Sequence, residues 1–524
     1  MTAVGDSGIG RQGLRRREFL VGGAAAGLTL AAPLNYAAIA RGQRLPFAKG
    51  GKFAHGVASG FPSPKAITVW TRLSGIDRSS KLTVEVATDK GFNKVLESVA
   101  VKAEKSRDYT VHHRIKGLEP GEQYFYRFFT QGKESRVGKF RTAPPTDSKE
   151  TIRIGYFSCQ NWNSGFYNAQ AGLAREKDLD LVLCLGDYIY EKGTYSGPRS
   201  DTTGVNGDGN VQTLDEYRQK YRLYQSDKAL QDMHAAHPFV MVWDDHEVED
   251  NYAGDEDLDN GGDIRRVPFE ERRKNAYKAF FEAMPKMKVK GDPTRIYGSA
   301  KLGGAAELFF TDQRQYRDTQ PCDDAILGGP CPDAENPARS MLGATQKAWF
   351  KSAVSKSKAN WKLWGSETMV MSVDQPQGTA VQLDAWDGYS GERKEILEHF
   401  VANGVQNLAA ITGDIHTFIA GDMTTTGRQG GTPAGVELVG GSATSLGLPE
   451  FLGVPSSALY PIAAAEDPHI KFVDLDRRGY AVVTATKKDL TCEFKAVDAL
   501  TPGAAPTPLK AFRVVDGVPA LQVV

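Results

Sequence analysis

This chain of 524 residues lacks several features that would assign it to a function class at once. It has only five cysteines, and none forms a CxxC pair of the kind used for structural zinc or thiol–disulfide exchange. Cys322 and Cys331 flank a short loop and suit a disulfide in an oxidising compartment. There is no excess of positive charge, because 64 Lys and Arg residues balance 64 Asp and Glu residues. A nucleic-acid-binding function is therefore disfavoured.

The motifs of several hydrolase classes are absent as well. The chain has no GxSxG nucleophile elbow, no P-loop and no HExxH helix, so the usual serine hydrolases, nucleotide triphosphatases and zincins are disfavoured. An acidic stretch that begins at Asp255 starts like an EF-hand loop, but Asn260 occupies the sixth position, where that loop needs glycine. We find no internal repeat, and no segment after residue 40 is predicted to cross a membrane.

The first 40 residues differ in composition from the rest of the chain. Arg15-Arg16-Arg17 precedes Phe19-Leu20, an apolar run extends from Val21 to Pro33, and Ala38-Ile39-Ala40 offers a small-residue cleavage site. This is the order of a secretory signal peptide, and Arg16-Arg17-x-Phe-Leu resembles the twin-arginine motif of proteins exported in folded form. We predict a signal peptide over residues 1–40, the twin-arginine translocase as a partner during export, and a periplasmic or secreted protein. An amphipathic membrane anchor is the alternative.

Two regions with different patterns follow this segment. Between residues 41 and 145, short runs alternate apolar and polar residues and end at Gly/Pro turns, which predicts a β-sandwich. The polar, Pro-containing stretch from Ala143 to Glu150 is predicted to be a linker. Residues 150–524 instead contain continuous apolar runs separated by helical stretches, which predict an α/β catalytic domain with a C-terminal extension. The apolar runs are Ile152–Phe157, Leu179–Leu185, Phe239–Trp243 and Leu408–Thr412, and the helical stretches include Leu214–Tyr224 and Glu270–Phe281.

Polar clusters follow three of these apolar runs directly. They are Gly186-Asp187-Tyr188-Ile189-Tyr190, then Asp244-Asp245-His246-Glu247 with Asn251, and Gly413-Asp414-Ile415-His416. Open α/β sheets bind ligands at the carboxyl ends of their strands, and an aspartate there can bridge two cations through its two oxygens. Each cluster alone is also typical of a solvated or capping loop. Three such clusters in one domain predict a metal centre.

The order of these motifs resembles that of the PhoD-like alkaline phosphatases, which are related to the calcineurin-like metallophosphoesterases. The resemblance extends over nearly the whole chain, through the strings GVASG, VWTR, LGDYIYE, WDDHEVED, DQRQYRD, MLG, WDGY and GDIH. It implies an α/β fold in which an Ig- or fibronectin-like β-sandwich precedes a four-layer αββα metallophosphoesterase core. It also implies a phosphoric ester hydrolase, in which metal-activated hydroxide releases inorganic phosphate from monoesters or diesters.

Carried over to this sequence, the resemblance implies Fe3+ and Ca2+ as cofactors. The ligands would be Cys159, Asp187, Tyr190 and His416 for iron, and Asp187, Asp245, Asn251 and Asp414 for calcium. Asp244 is the alternative to Asp245, which is preferred because it occupies the place before histidine that a metal-binding asparagine takes in related phosphoesterases. A soft thiolate such as Cys159 is a suitable ligand for iron.

Two further side chains are assigned to the chemical step. His246 is predicted to donate a proton to the leaving alkoxide or to orient the phosphate. Arg222 is predicted to clamp the phosphate through two N–H groups, with a surface ion pair on its helix as the alternative.

Three other functions remain open from the sequence. A phospholipase D-type phosphodiesterase would use the same centre on a different substrate. A catalytically dead secreted protein that binds a polymer through its sandwich would be expected to have lost metal ligands, and none of the carried-over positions is missing. A purple-acid-phosphatase-like enzyme would need motifs of the GHxH kind, which this sequence lacks. We also predict a monomer without a nucleic-acid partner.

Overall fold

The computed structural model describes residues 45–193, 196–256, 264–324, 331–375, 379–380, 382–428, 430–460 and 467–524. The predicted signal peptide lies outside these residues. Residues Leu45–Val524 form one compact unit. In the described part of the chain, no helix is both long enough and apolar enough to cross a membrane.

The strands of the N-terminal region are β1 (Val57–Ser63), β2 (Ala66–Arg72), β3 (Ser80–Ala87), β4 (Val95–Ala103), β5 (Thr110–Lys116), β6 (Gln123–Thr130), β7 (Lys133–Glu134) and β8 (Gly138–Arg141). Those that follow are β9 (Ile152–Phe157), β10 (Leu181–Leu185), β11 (Pro238–Val242), β12 (Gly298–Leu302), β13 (Ala306–Phe310), β14 (Trp361–Gly365), β15 (Asp374–Gln375), β16 (Thr379–Ala380), β17 (Leu408–Thr412), β18 (Phe418–Thr424), β19 (Pro433–Val439), β20 (Ile470–Asp474), β21 (Arg478–Ala485), β22 (Asp489–Val497), β23 (Thr507–Val515) and β24 (Gln522–Val523). The α-helices are α1 (Asn168–Arg175), α2 (Leu214–Tyr224), α3 (Lys228–Ala236), α4 (Phe269–Ala283), α5 (Gly343–Lys356), α6 (Ser390–Ala402) and α7 (Leu448–Leu452).

Two large sheets form the core of the molecule. The first has ten strands in the order β24-β23-β22-β21-β9-β10-β11-β1-β2-β5, and the second has seven in the order β12-β13-β14-β17-β19-β18-β20. Within the first sheet β9, β10 and β11 run parallel, and within the second β13, β14, β17 and β19 do so. The continuous apolar runs of the sequence therefore correspond to central parallel strands that are buried on both faces, as expected.

The sheets pack face to face, and helices cover their outer faces. Between the sheets, the Tyr156 hydroxyl of β9 donates a hydrogen bond of 3.0 Å to the Leu438 carbonyl of β19. Outside the second sheet, Phe350 of α5 packs on Trp364 of β14, with 4.9 Å between ring centroids. Outside the first sheet, Phe280 of α4 packs on Trp243 at 5.0 Å. This arrangement confirms the predicted αββα layers.

The N-terminal region forms the predicted β-sandwich. A sheet with the order β4-β3-β6-β7, in which β8 also pairs with β6, packs against β1, β2 and β5 over a core of buried aliphatic and aromatic residues. At the start of β6, the Tyr124 hydroxyl accepts a hydrogen bond of 2.9 Å from the backbone amide of Glu119, which ties the strand to the preceding turn as in a tyrosine corner.

The sandwich is continuous with the central core. Strand β1 pairs in parallel with β11, with Ser59 opposite Pro238, so β1, β2 and β5 extend the ten-stranded sheet. At the other side of β9 the C-terminal extension adds β21 to β24. The division into domains at residues 145–150 remains a prediction, because hydrogen bonding in this sheet crosses it.

The predicted disulfide forms between Cys322 and Cys331, and the other three cysteines, Cys159, Cys184 and Cys492, are free and buried.

Candidate metal centre

The carboxyl ends of parallel strands from both central sheets meet at one place. In the first sheet, β9, β10 and β11 lead to Cys159, Asp187 and the segment from Asp244 to His246. In the second sheet, β17 leads to Asp414 and His416. Since the two sheets pack face to face, loops from both contribute side chains to one largely buried cluster. The structure thus brings together the three strand-end motifs of the sequence.

Three overlapping groups of side chains in this cluster could hold a metal ion. They are Cys159–Asp187–His416, Asp187–Asp245–His246 and Asp244–Asp245–Asp414, and the candidate ligand atoms of each group lie within 4.8 Å of one another. Asp187 belongs to two of the groups, and so does Asp245. A carboxylate has two oxygens for different ions, so either residue is in a position suited to bridging.

The backbone at these positions is unusual. Five of the predicted ligands have a positive φ although none is glycine: Cys159 (57°), Asp187 (54°), Asn251 (56°), Asp414 (67°) and His416 (55°). Such conformations cost on the order of 1–3 kcal/mol each for strained residues and persist only where the surrounding structure enforces them. The loops are therefore held in their conformation by the rest of the fold, which is typical of functional sites.

One glutamate holds the loops after β10 and β11 together. Glu247 accepts hydrogen bonds from the amides of Asp187 (3.0 Å), Tyr188 (2.6 Å) and Asp244 (2.7 Å). Gly186 allows this close approach, because a Cβ at its position would lie 2.4 Å from the Asp244 Cβ. Glu247 belongs to the WDDHEVED motif, but nothing in the sequence pattern predicted a role for it. Its place immediately after three predicted site residues was the available signal.

Several carboxylate oxygens in the cluster lack a donor. Asp187 Oδ1, Asp244 Oδ2 and Asp245 Oδ1 are buried and have no hydrogen-bond partner among the described residues. Burial, together with neighbouring carboxylates, raises the pKa of Asp187 and of Asp244 well above the usual range. Burial likewise raises the pKa of Asp414 to about 7. Buried anionic oxygens are normally paired or bound to metal, so these residues fit a cation site.

The softer donors lie together on one side of the cluster. Burial, reinforced by nearby carboxylates, raises the pKa of the Cys159 thiol well above its usual range. His416 donates from Nδ1 to the Leu446 carbonyl at 2.6 Å, and its Nε2 lies 3.3 Å from the Tyr190 hydroxyl. Burial lowers the pKa of His416 to about 4, so its ring is neutral at pH 7, as a metal ligand requires. Ser445 donates to the Tyr190 hydroxyl at 2.7 Å and fixes its position.

His246 is oriented by a buried carboxylate that no pattern in the sequence predicted. Its Nδ1 lies 2.7 Å from Glu191 Oε2, and its ring packs on Tyr190 with 4.1 Å between centroids. Although burial opposes it, His246 and Lys192 lower the pKa of Glu191 to about 2. Glu191 is therefore an anion at neutral pH and holds the imidazole in one orientation.

Asn251 lies at the edge of the cluster. Its backbone amide donates to Asp245 Oδ2 at 2.8 Å, and its side-chain Nδ2 donates to Asp324 Oδ2 at 2.7 Å. Asp324 lies two residues after Cys322, so the disulfide-bonded segment reaches this side of the site. The side-chain oxygen of Asn251 remains the candidate ligand at this position.

The contacts of Arg222 favour the alternative of an ion pair over the phosphate clamp. Its Nη1 lies 3.0 Å from both carboxylate oxygens of Asp108, which also accepts two hydrogen bonds from Arg72. This pair joins α2 to the sandwich, and none of its partners belongs to the cluster. Arg222 differs from the predicted clamp because its position on α2 places it next to the oppositely charged Asp108 of a sandwich loop.

A different arginine lies within the cluster. Arg314 is completely buried, donates to Asp244 and Asp384, and has Nη2 at 3.4 Å from Asp245 Oδ1. Nearby, Glu367 is fully buried, and neither of its carboxyl oxygens has a hydrogen-bond partner among the described residues. The DQRQYRD string contains Arg314 and was noted for its resemblance, but spacing alone did not show that its loop turns back towards the three clusters.

Comparisons with known proteins show the family of this chain. The model of the PhoD-like phosphatase family matches residues 154–494, and that of the PhoD-like phosphatase N-terminal domain matches residues 41–144. Alkaline phosphatase D of Bacillus subtilis (strain 168) is 33% identical over 473 residues, which cover 86% of this chain and 79% of that protein.

Solved structures are similar over most of the chain as well. A structure of PhoD superposes with a TM-score of 0.80 at 30% identity and covers 91% of this chain and 93% of its own. The purple acid phosphatase PPD1 from yellow lupin has a TM-score of 0.56 at 14% identity and covers 88% of this chain and 73% of its own, which shows a shared fold only. The chain therefore belongs to the PhoD-like phosphatase family and is a phosphoric ester hydrolase.

Proposed function

We propose that this chain is an exported, metal-dependent alkaline phosphatase and phosphodiesterase that uses Fe3+ and Ca2+. The observation that carries the proposal is the group of three buried carboxylate oxygens, on Asp187, Asp244 and Asp245, without hydrogen-bond partners among the described residues. Unpaired buried anions are costly unless cations compensate them. Phosphate esters are themselves anionic, so the same cations would allow substrate to approach this cluster.

The chemistry of the donors supports two kinds of ion. Cys159, Tyr190 and His416 offer sulfur, phenolic oxygen and neutral imidazole, which together with Asp187 suit iron. Hard oxygen donors suit calcium, and these are Asp187, Asp244, Asp245, Asn251 and Asp414. Both Asp244 and Asp245 belong to a potential ligand group, so we retain both as candidates.

Bound cations of this type lower the pKa of water and neutralise phosphate oxygens during displacement. The remaining chemistry belongs to the protein. His246 transfers a proton to the leaving alkoxide, and its Nδ1 contact with Glu191 assigns that transfer to Nε2. Glu247 fixes the relative position of the loops that carry Asp187 and Asp244.

Export through the twin-arginine translocase, a monomeric state and a substrate that is a mono- or diester complete the proposal. The basic and apolar order of residues 1–40 supports export. The Cys322–Cys331 disulfide is also consistent with an oxidising compartment.

Metal analysis combined with activity tests this function. We expect purified, exported protein to contain iron and calcium and to hydrolyse p-nitrophenyl phosphate and bis-p-nitrophenyl phosphate at alkaline pH. Chelation should abolish both activities, and calcium with iron should restore them. Full activity after removal of both metals, or zinc as the bound metal, would overturn the proposal. The ratio of the two activities then separates a phosphomonoesterase from a phosphodiesterase.

A further inference from the structure

We propose that Arg314 is a positioning residue that acts as an internal counter-cation. In this role it holds the carboxylates of the metal centre together before cations bind. Its positive charge also partly neutralises these carboxylates and thereby weakens calcium binding. The inference rests on the cation site of the proposed function.

The loop after β13 directs Arg314 into the cluster. Asp312 Oδ1 accepts hydrogen bonds from the amides of Arg314 (3.3 Å) and Gln315 (3.0 Å) and from the Trp243 indole (3.1 Å). These bonds close a tight turn and attach it to the end of β11. The guanidinium of Arg314 is thereby fixed at a depth where its exposure is 0%.

The guanidinium faces carboxylates from three separate segments. Nε donates to Asp244 Oδ1, and Nη1 donates to Asp384 Oδ1 at 3.0 Å. Nη2 lies 3.4 Å from Asp245 Oδ1 and 3.7 Å from Asp414 Oδ1. Arg314 therefore connects loops of both central sheets through charge.

The environment of Nη2 distinguishes compensation of charge from an ordinary salt bridge. This nitrogen is buried and has no hydrogen-bond partner among the described residues, yet two candidate ligand oxygens lie within 4 Å of it. It attracts them without saturating them, so the oxygens stay available to a cation. Asp384 accepts from Nη1 of the same guanidinium and also pairs with Arg317 at 2.7 Å.

Negatively charged side chains outnumber positively charged ones around Arg314. Four carboxylates, on Asp244, Asp245, Asp384 and Asp414, face two guanidinium groups, on Arg314 and Arg317. Carboxylates therefore outnumber guanidinium groups here, which favours the binding of a cation. A phosphate clamp is the competing role for Arg314, but its burial and its existing carboxylate contacts favour compensation.

Calcium titration of EDTA-treated protein tests this role. In Arg314→Met, one positive charge near Asp245 and Asp414 is lost, so we expect calcium to bind roughly tenfold or more tightly, with lower thermal stability in EDTA. The loss of stability should shrink when calcium is saturating. Arg314→Lys keeps the charge and should restore affinity close to the original. Arg393→Met is the matched control, because this buried guanidinium pairs with Asp387 and has no candidate metal ligand among its contacts, and the variant should lose the same stability with and without calcium.

The outcomes separate the two proposals. A variant of Arg314 that folds only when calcium is supplied would also support the inference, and Arg314→Gln provides a second neutral variant if the methionine variant does not fold. Unchanged or weaker calcium binding, or a raised KM with unchanged stability in EDTA, would overturn it. Absence of calcium binding by the unaltered protein would instead overturn the proposed function.

Discussion

The N-terminal sandwich and the strand ends of the central sheets both bury charged side chains, but they compensate the charge differently. At the sandwich, Asp108 accepts hydrogen bonds from two guanidinium groups, those of Arg72 and Arg222. At the strand ends, Asp187, Asp244, Asp245 and Asp414 lie close together, and the buried Arg314 pairs with the last three of them. Paired opposite charges join secondary-structure elements, whereas buried charges that are mostly of one sign favour the binding of a ligand of opposite charge.

Asp187→Asn should give the largest effect on function. The amide keeps the shape of the side chain but removes the negative charge and one potential ligand oxygen. We expect kcat/KM for p-nitrophenyl phosphate to fall about a thousandfold or more, since electrostatic stabilisation contributes effects of this size. Thermal stability in EDTA should not fall, because the burial that raises the pKa of Asp187 also makes its charge unfavourable. Near-normal activity would exclude a bridging role for Asp187.

Glu191→Gln should have a smaller effect that depends on the leaving group. Loss of the carboxylate next to His246 Nδ1 removes the orientation of the ring, and we expect a decrease in kcat of about 10–100-fold for an alkyl phosphate. The decrease should be smaller for p-nitrophenyl phosphate, whose leaving group needs little protonation. Glu191→Asp is the matched control that keeps the charge. Equal losses on both substrates would argue against proton transfer by His246.

Asp108→Asn should show the reverse of Asp187→Asn. Arg72 and Arg222 would lose their shared counter-ion at a site that is mostly but not fully buried, so we expect a loss of about 2 kcal/mol in the free energy of unfolding. Chemical denaturation measures this loss, and kcat/KM should change by less than about twofold, well below the tenfold that 1.4 kcal/mol represents. A raised KM in this variant or in Arg222→Met would revive the phosphate clamp.

The sequence predicted the strands better than it predicted how they join. The bounds of β9, β17 and α2 agree with their apolar runs or helical stretch, because strands covered on both faces consist of continuous apolar residues. The parallel pairing of β1 with β11 was not predicted, since no local pattern encodes which strand edges meet across 170 or more residues. The sandwich therefore extends a central sheet in a way that the sequence did not indicate.

A similar limit applies to the candidate centre. Side chains at strand ends could be found from their position, and the structure brings Cys159, Asp187, Asp414 and their neighbours together. The groups that orient them, Glu191 and Glu247, are ordinary acidic residues in sequence and acquire meaning only through their contacts. Arg222 and Arg314 show the same limit for arginines, because only burial and partners, not composition, distinguish the Arg222–Asp108 ion pair from the fully buried Arg314 in the cluster.

Lys286, where the sandwich meets the second sheet, should give the smallest effect on activity. Its ammonium lies 4.0 Å from the Phe61 ring centroid and donates to the Ile296 carbonyl at 3.0 Å, without an ion-pair partner among the described residues. Burial lowers its pKa to about 7. The folded state therefore binds this proton less readily than the unfolded state. As a result, Lys286 does not lower the free energy of unfolding above pH 10.5, and it lowers it progressively as the pH falls from 10.5 towards 7.

Lys286→Met removes this dependence on pH while filling a similar volume. We expect the stability of the variant relative to the unaltered protein to increase by up to about 1.4 kcal/mol per pH unit as the pH falls from 10.5 towards 7, because the lysine is protonated over that range in the unfolded state but not in the folded state. Thermal unfolding of both proteins between pH 6 and pH 10.5 measures it. A difference that does not vary with pH would mean that the lysine keeps an ordinary pKa, and hence that water or an anion compensates its charge at this junction.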